Sequence, residues 1–447
     1  MNRFGNTSFQ AYSVQLGHAI STDRTRIDWE TVETLDSLSA LLKILEPGLS
    51  SDKLVDFFCQ LDQEQYEALV DEARHQGLSA LLYPMLVGSK NSFSPDFPQK
   101  EQLHRSYLAT AVQNTLIMHD TELLLSSLQK AGIPAAGLKG VFLLENVYAD
   151  PGARPMNDID ILVKKQDLGT SLNVFEELGY SPTSYFSLSD QNIDTKHVPP
   201  LQKKGGALVE VHWTLLEEDE PFTIDFDALW DRMKPTRIAN VDALSLGVED
   251  LILHLCLHLT YQHYLQLGLR GLLDIALVIH KFRMEIDWTK LVQISKTWGS
   301  ERVTALTLKL VETLLNVPIP SEVYASLLPE GIDPELIELA RSQLLDRERF
   351  EDRLTPDMVE LNATKNILKK LKIGLQRVFI PRIALARIYN VSPNSIKIVG
   401  FYWERLKYLV RNYGSTLLRL LKREEISDSA LKKAETSYSL HDWMSKR

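Results

Sequence analysis

One stretch, Asn157-Asp158-Ile159-Asp160-Ile161-Leu162-Val163, constrains this chain more than any other. Two carboxylates stand two residues apart at the head of an apolar, β-branched run, and such a run reads as a strand. Residues i and i+2 of a strand point to the same face. Asp158 and Asp160 are therefore expected side by side over one small volume. Two like charges held that close repel unless a cation lies between them. Hard oxygen ligands with room for water and phosphate suit Mg2+, with Mn2+ as the alternative. The pattern points to metal-assisted chemistry on a nucleoside triphosphate.

A third acidic group would complete such a centre, and Glu210 in Leu208-Val209-Glu210-Val211-His212-Trp213 is the candidate. Leu208, Glu210 and His212 share one face of that strand, and Val209, Val211 and Trp213 the other. A Glu between valines is disfavoured in a strand unless something cationic faces it. The bland alternative, an edge-strand Glu facing water, weakens beside two aspartates. His212, two residues on, either orients a phosphate or acceptor or is a packed strand histidine.

The phosphate side is expected at Leu138-Lys139-Gly140-Val141, where a strand turns into a helix. Glycine lets backbone approach a ligand closely, and a helix start offers unpaired N–H groups to an anion. Lys139 would add a point charge. Arg154 can bridge phosphate oxygens with its fork, or can serve as a structural partner of Asp158 or Asp150.

Around these motifs the periodicity predicts an α+β protein, with a central mixed β-sheet domain flanked by N-terminal and C-terminal helical regions. The expected divisions are 1–97, an unpatterned start of about 27 residues followed by helices; 98–245, the α/β core; and 246–447, helical again. A long helix is expected from Pro98 to Lys130, stopped by Ala131-Gly132. Strands are expected at 133–138, 159–163, 180–187 and 207–213, and Gly88 to Pro98 reads as a loop. Beyond Val248 helical spacing recurs through 249–267, 270–280, 288–298, 301–315, 333–345, 358–376, 393–411 and 417–423, and the last twenty residues read as frayed.

Charge and cysteine usage narrow the setting. The 447 residues carry a net charge of −10, yet residues 361–447 hold 18 Lys and Arg against 6 Asp and Glu. That basic tail either attracts the acidic remainder within one molecule or meets a partner. Cys59 and Cys256, far apart and in apolar settings, read as buried free thiols of a reducing compartment. Met1 to Ile20 lacks a leader pattern and no apolar run is long enough for a membrane span, so a cytoplasmic protein is expected.

Taken together, Leu138-Lys139-Gly140, Tyr148-Ala149-Asp150-Pro151-Gly152-Ala153-Arg154, Asn157 to Val163 and Glu210-Val211-His212-Trp213 resemble the bacterial uncharacterised nucleotidyltransferase family. That family lies within the DNA polymerase β-like nucleotidyltransferase superfamily. The resemblance extends to Val248-Glu249-Asp250-Leu251, His254, His258, Leu269-Arg270 and Asp274-Ile275-Ala276. It implies that Asp158 and Asp160 bind two Mg2+ ions bridging the triphosphate of an NTP. Glu210 then takes the third carboxylate's place, at the metal that activates an acceptor hydroxyl. Lys139, Gly140 and Arg154 would contact the nucleotide. The His258 face would look toward the substrate cleft, and His197 would correspond to a histidine before the family's hairpin. Lys139-Gly140 stands where the wider superfamily has Gly-Ser, a departure that leaves the phosphate contacts open.

Other features tempt less. His254 and His258, four apart on a helix, invite a zinc reading with His263, but no Glu follows His254 as zinc-peptidase chemistry needs. Arg270 and Asp274 read as a surface i,i+4 pair. Phe401, Trp403, Leu406, Tyr408 and Leu409 beside Lys407 and Arg411 read as core, or as a nucleic-acid or membrane-surface contact.

The chain thus reads as an Mg2+-dependent enzyme moving a nucleotidyl group from an NTP to a hydroxyl of an unidentified acceptor. Two alternatives stay open: a non-catalytic nucleotide-binding or scaffold protein on the same fold, and a toxin-like nucleotidyltransferase acting on tRNA. Nucleic acid is disfavoured by the acidic catalytic half and kept open by the basic tail.

Overall fold

Periodic leucines and well-chosen caps set the first helices of the computed structural model, which describes residues 36–87, 99–184, 196–346, 379–389, 391–392, 394–422 and 439–446. They are α1 (Ser37–Ile44), α2 (Ser51–Gln60), α3 (Gln63–His75) and α4 (Ser79–Val87). Asp36, Ser50 and Asp62 each accept a backbone N–H of the first turn, and Gln65 returns a bond to Asp62 to complete a capping box. The long helix α5 (Gln99–Lys130) ends as expected, with Gly132 in the left-handed region at φ +71°. The unpatterned start, the 88–98 loop and the 358–376 helix expected from sequence lie outside the described residues.

The sheet follows: β1 (Ala135–Gly137), helix α6 (Lys139–Leu143) running into a π turn (Leu144–Tyr148), and β2 (Asp158–Val163). Helix α7 (Leu168–Glu177) leads to β3 (Ser181–Pro182), β4 (Leu201–Gln202) and β5 (Leu208–His212). After α8 (Phe226–Asp231) come β6 (Lys234–Ile238) and β7 (Val241–Ser245). These seven strands make one mixed sheet in the order β3-β4-β5-β2-β1-β7-β6, as an α+β chain should. Strands β2 and β5 are parallel neighbours, whereas β1 runs antiparallel to β2 and parallel to β7. Ile159, Ile161, Leu162 and Val163 of β2 are fully buried, which is why that strand reads as nearly continuous hydrophobic sequence.

Two parts of the sheet escaped the sequence reading. Strand β4 is only two residues long, too short for a period-2 signal. The β6–β7 hairpin closes through Ala239 and Asn240, both left-handed at φ +49° and +64°. A two-residue hairpin turn needs that geometry, but the usual Asn-Gly signature is missing. Of the strand expected at 180–187, Ser181–Pro182 is strand, and 185–187 lie outside the described residues.

Helices α9 (Val248–Cys256), α10 (Gly268–Lys281), α11 (Trp288–Trp298), α12 (Glu301–Leu315), α13 (Ser321–Leu327), α14 (Pro334–Leu344), α15 (Arg382–Tyr389) and α16 (Ile398–Lys422) complete the chain. The helix expected from 249 to 267 changes character: it widens into a π segment (Leu257–Gln262), and Tyr264 and Leu265 then turn left-handed. One apolar core takes in side chains from Ala40 to Met444. The end of the chain corrects its expected fraying, because 439–445 is helical, with Leu440 and Met444 buried and His441 stacked 4.3 Å from Tyr261. Two further corrections concern single residues. Cys59 is exposed while Cys256 is buried, and in the aromatic stretch expected to be core, Trp403 and Tyr408 face solvent. Among the described residues no helix is long and apolar enough to cross a membrane.

Candidate active site

The parallel register of β2 and β5 builds the site. Asp158 stands opposite Leu208, Asp160 opposite Glu210 and Leu162 opposite His212. Side chains two apart share a face, so Asp158, Asp160, Glu210 and His212 all rise on one side of the sheet. One ligand atom each from Asp160, Glu210 and His212 lies within 4.8 Å of the others. The His212 Nε2 atom is 2.9 Å from Asp160 Oδ1 and 3.4 Å from Glu210 Oε2. Of the residues expected to form a metal centre, Asp160 and Glu210 are thus adjacent, and His212 joins them at closest range.

Lys139 enters the same cluster from the next strand. Leu138 donates its backbone N–H to the Asp160 carbonyl, which brings the following residue over the site. Lys139 takes a left-handed φ of +43°, unusual for a residue with a Cβ. Its Nζ donates to Asp160 Oδ1 at 2.8 Å. Burial alone would push the Asp160 carboxyl up, but the Lys139 ammonium and His212 outweigh it and hold Asp160 well below the ordinary carboxylate range. Glu210 is also held low: burial pushes it up, but the His212 hydrogen bond together with the charges of His197 and Lys139 outweighs that.

Asp158 behaves in the opposite way. It is outside the closest trio, and burial followed by the charges of Asp160 and Glu210 pushes its carboxyl up to about 6. Two carboxylates two residues apart therefore differ: one is neutralised by a protein cation, the other is crowded by like charge. This is the condition that a divalent cation relieves, and the donor set of carboxylate oxygens and one imidazole nitrogen fits Mg2+ or Mn2+.

The other expected nucleotide contacts are placed differently. The nitrogens of Arg154 are turned to Asp274, with Nε and Nη2 each 2.8 Å from a carboxylate oxygen, and Tyr148 donates to the same Asp274 at 2.8 Å. Neither Asp158 nor Asp150 is its partner; Asp150 instead accepts from Tyr107 and from the Gly152 N–H. Arg154 still acts on the site through its field, lowering Asp158. A Cβ on Gly140 would come within 2.9 Å of Met156 Sδ and 3.3 Å of an Arg154 nitrogen, so this glycine serves the packing of α6 against the 154–156 turn.

The 196–198 segment runs beside the end of β5, where Val198 N–H donates to the Val211 carbonyl and Trp213 N–H to the Lys196 carbonyl, and the helical part supplies the remaining neighbours. His197 bridges to His212 in antiparallel fashion, with ring centres 5.0 Å apart and its Nε2 3.7 Å from Glu210. Lys196 Nζ donates to Gln262 Oε1 at 3.0 Å. His258 lies 4.4 Å from the His263 ring and 6.0 Å from that of His254, and burial holds His254 and His258 far below the usual imidazole range. The zinc reading of these histidines gains nothing: among the described residues the cluster with metal-binding geometry is Asp160, Glu210 and His212. Asp274, expected to pair with Arg270, holds Arg154 instead, and Arg270 donates to the Pro155 carbonyl at 3.3 Å. Sequence reasoning did not single out Lys196. It sits in a loop with no period, and only the fold brings it to Gln262.

A family model described as "Uncharacterised nucleotidyltransferase" matches residues 62–316, more than half of the chain. No curated protein matches, and no solved structure matches. The chain belongs to the uncharacterised nucleotidyltransferase family.

Proposed function

We propose that this family member transfers a nucleotidyl group from an NTP to a hydroxyl of an acceptor, with Mg2+ held at the β2–β5 carboxylates. The observation that carries the reading is the register placing Asp160 beside Glu210, with His212 and the crowded Asp158 on the same face. Asp158, Asp160 and Glu210 would hold the metal, and His212 is close enough to join them. When bound, the metal supplies charge neutralisation for the triphosphate and acidity for the acceptor hydroxyl.

The chain's own groups do the rest. Lys139 is the nearest cation to the carboxylates and is placed to move from Asp160 to a phosphate oxygen once the carboxylates are otherwise engaged. Its strained backbone aims it there without a search through rotamers of the main chain. Asp274 and Tyr148 fix Arg154, which stiffens the 148–156 turn that feeds β2. Positioning of this kind is most of what phosphoryl chemistry asks of a protein. The acceptor's place is between the sheet face and the helical wall of His258 and His263, which is also where His197 reaches Glu210.

The test is calorimetric titration of ATP, GTP, CTP and UTP with and without Mg2+, followed by transfer of α-phosphate label from the NTP that binds into a small-molecule extract. We expect binding of one NTP that requires Mg2+ and is lost in Asp158→Asn, together with a labelled product. Binding without transfer would favour the non-catalytic alternative. Affinity for NTP indifferent to both Mg2+ and Asp158 would overturn the site assignment.

A further inference from the structure

The carboxylate wall is wired to its own cation, but the wall opposite is not. Lys196 and Arg270 carry full charges close to the site, and among the described residues neither forms an ion pair. Lys196 Nζ has a neutral amide, Gln262 Oε1, and Arg270 Nη1 has a backbone carbonyl, that of Pro155. Glu217 Oε2 accepts the Lys196 backbone N–H at 2.9 Å, yet it and Glu220 reach the Lys196 ammonium only through their fields, and Asp274 is already forked by Arg154. Burial costs both cations, since it lowers the Lys196 ammonium and the Arg270 guanidinium from their usual ranges.

Three histidines join them. His263 is the link: it follows Gln262, whose Oε1 holds Lys196 Nζ at 3.0 Å and lies 3.5 Å from His258 Nδ1, and its imidazole lies in the fields of both Lys196 and Arg270. His258 is packed against it at 4.4 Å. His254 is 3 % exposed, and its Nε2 has no hydrogen-bond partner; it lies within the fields of Lys139, Lys196 and His212. The backbone here is unusual as well. A π segment (Leu257–Gln262) carries His258, and left-handed Tyr264 and Leu265 follow His263 on the way to Arg270. Strain and π turns persist where the surroundings fix a functional geometry.

Cations kept partly buried without carboxylates are held for an anion that arrives from outside. The geometry points to a second anion site, formed by Lys196, His263 and Arg270, for a phosphate or carboxylate group on the acceptor. It rests on the nucleotidyl-transfer reading and deepens it: the acceptor is an anionic hydroxyl compound. Lys139 already serves the sheet side, where the triphosphate and metal belong. The proposed site is a separate set of residues, Lys196 from the segment beside the end of β5 and His263 and Arg270 from the 263–270 segment.

The experiment uses the full chain with Mg2+ and saturating α,β-methylene ATP (or the corresponding analogue of whichever NTP binds in the titration above), which resists cleavage between the α and β phosphates. Inorganic phosphate and succinate are then titrated separately by calorimetry; whichever binds more tightly tells phosphate from carboxylate. The expected result is that one of them binds the loaded protein. Lys196→Gln and Arg270→Gln should each weaken it about tenfold or more and leave the affinity for the ATP analogue within about threefold. Arg270→Lys, which keeps the charge, should recover part of the loss, and serves if Arg270→Gln does not fold. Two results would overturn the inference. One is that neither anion binds the loaded protein. The other is that Lys196→Gln and Arg270→Gln lose the ATP analogue instead, which would assign these cations to the triphosphate. Failure of the α,β-methylene analogues of all four NTPs to bind wild type would sink the underlying reading, and is seen before any anion is added.

Discussion

The two walls of the cleft solve the problem of buried charge in opposite ways. On the sheet wall, Asp160 is met by Lys139 and His212, each within 3 Å, and its carboxyl is held low. On the helical wall, Lys196 and Arg270 are given neutral partners only. The pairing at Asp160 needs no ligand, and so contributes to the fold as well as to the site, while Asp158 on the same face stays crowded until a cation arrives. The second arrangement is incomplete, and its groups cost stability until something negative arrives. A cleft whose central carboxylate is paired while other charges wait can fold on its own and still hold a strong preference for what enters it.

Substitutions in the sheet wall should break this contrast most. Asp160→Ala removes the carboxylate and strands the Lys139 ammonium; transfer should be undetectable in a label assay, and urea unfolding should show a loss of about 3–5 kcal/mol. Asp158→Asn, two residues away, should also abolish Mg2+-dependent nucleotide binding. Its melting temperature should stay equal or rise, because a like charge leaves the crowd. If both variants lose stability alike, the two aspartates are not in different environments and the contrast fails.

Arg154→Met tests whether the turn into β2 is held by Asp274. The substitution leaves a buried carboxylate with Tyr148 alone, and about 3 kcal/mol of stability should be lost in urea unfolding. Nucleotide affinity should fall less steeply than it does for Asp158→Asn. An unchanged unfolding midpoint would show that the fork is ornamental.

Glu220 sharpens the comparison through pH. It accepts from Gln262, the residue that holds Lys196, and burial pushes its carboxyl up to about 7. The folded state then binds a proton that the unfolded chain releases near its ordinary value. This contribution is present below about pH 4.5, and is lost as pH rises toward 7. The protein should therefore lose about 1–2 kcal/mol across that window, a figure reduced for partial exposure to solvent, and Glu220→Gln should flatten the fall. A slope identical in the variant would place the proton elsewhere. The smallest effect is expected at the chain's end. His441→Ala removes a ring stacked on Tyr261 and Tyr264 and should cost about 1 kcal/mol, read from the urea midpoint.

Much of the sheet wall was legible in the sequence, because strands report their faces with a period of two. Asp158, Asp160, Glu210 and His212 could each be assigned to one side of their strands from that alternation alone. That the two strands are parallel neighbours, with Asp160 opposite Glu210, is a feature of the fold and not of the pattern; the family resemblance implied only that Glu210 joins the aspartates. The partner of Arg154 was not legible, because a fork that can grip phosphate can equally grip a carboxylate, and Asp274 lies 120 residues further on. The helical wall was nearly silent. His254, His258 and His263 were visible, but their grouping with Lys196 depends on a π segment and two left-handed residues that no helical period encodes. The β6–β7 hairpin was missed for a similar reason, since Ala239 adopts a backbone conformation its side chain does not advertise.

The pairing of β2 with β5 carries a rule of parity. Between Val163 and helix α7 the chain could lengthen or shorten without disturbing the ladder of β2 with β5, since that connection pairs with neither strand. Inside the ladder the arithmetic is unforgiving. One residue added between Leu208 and Glu210 would turn the acid and the imidazole to the far side of the sheet and bring valine round to meet Asp160. Five residues of β5 thus tolerate only even steps, whatever the length of the connection that leaves β2.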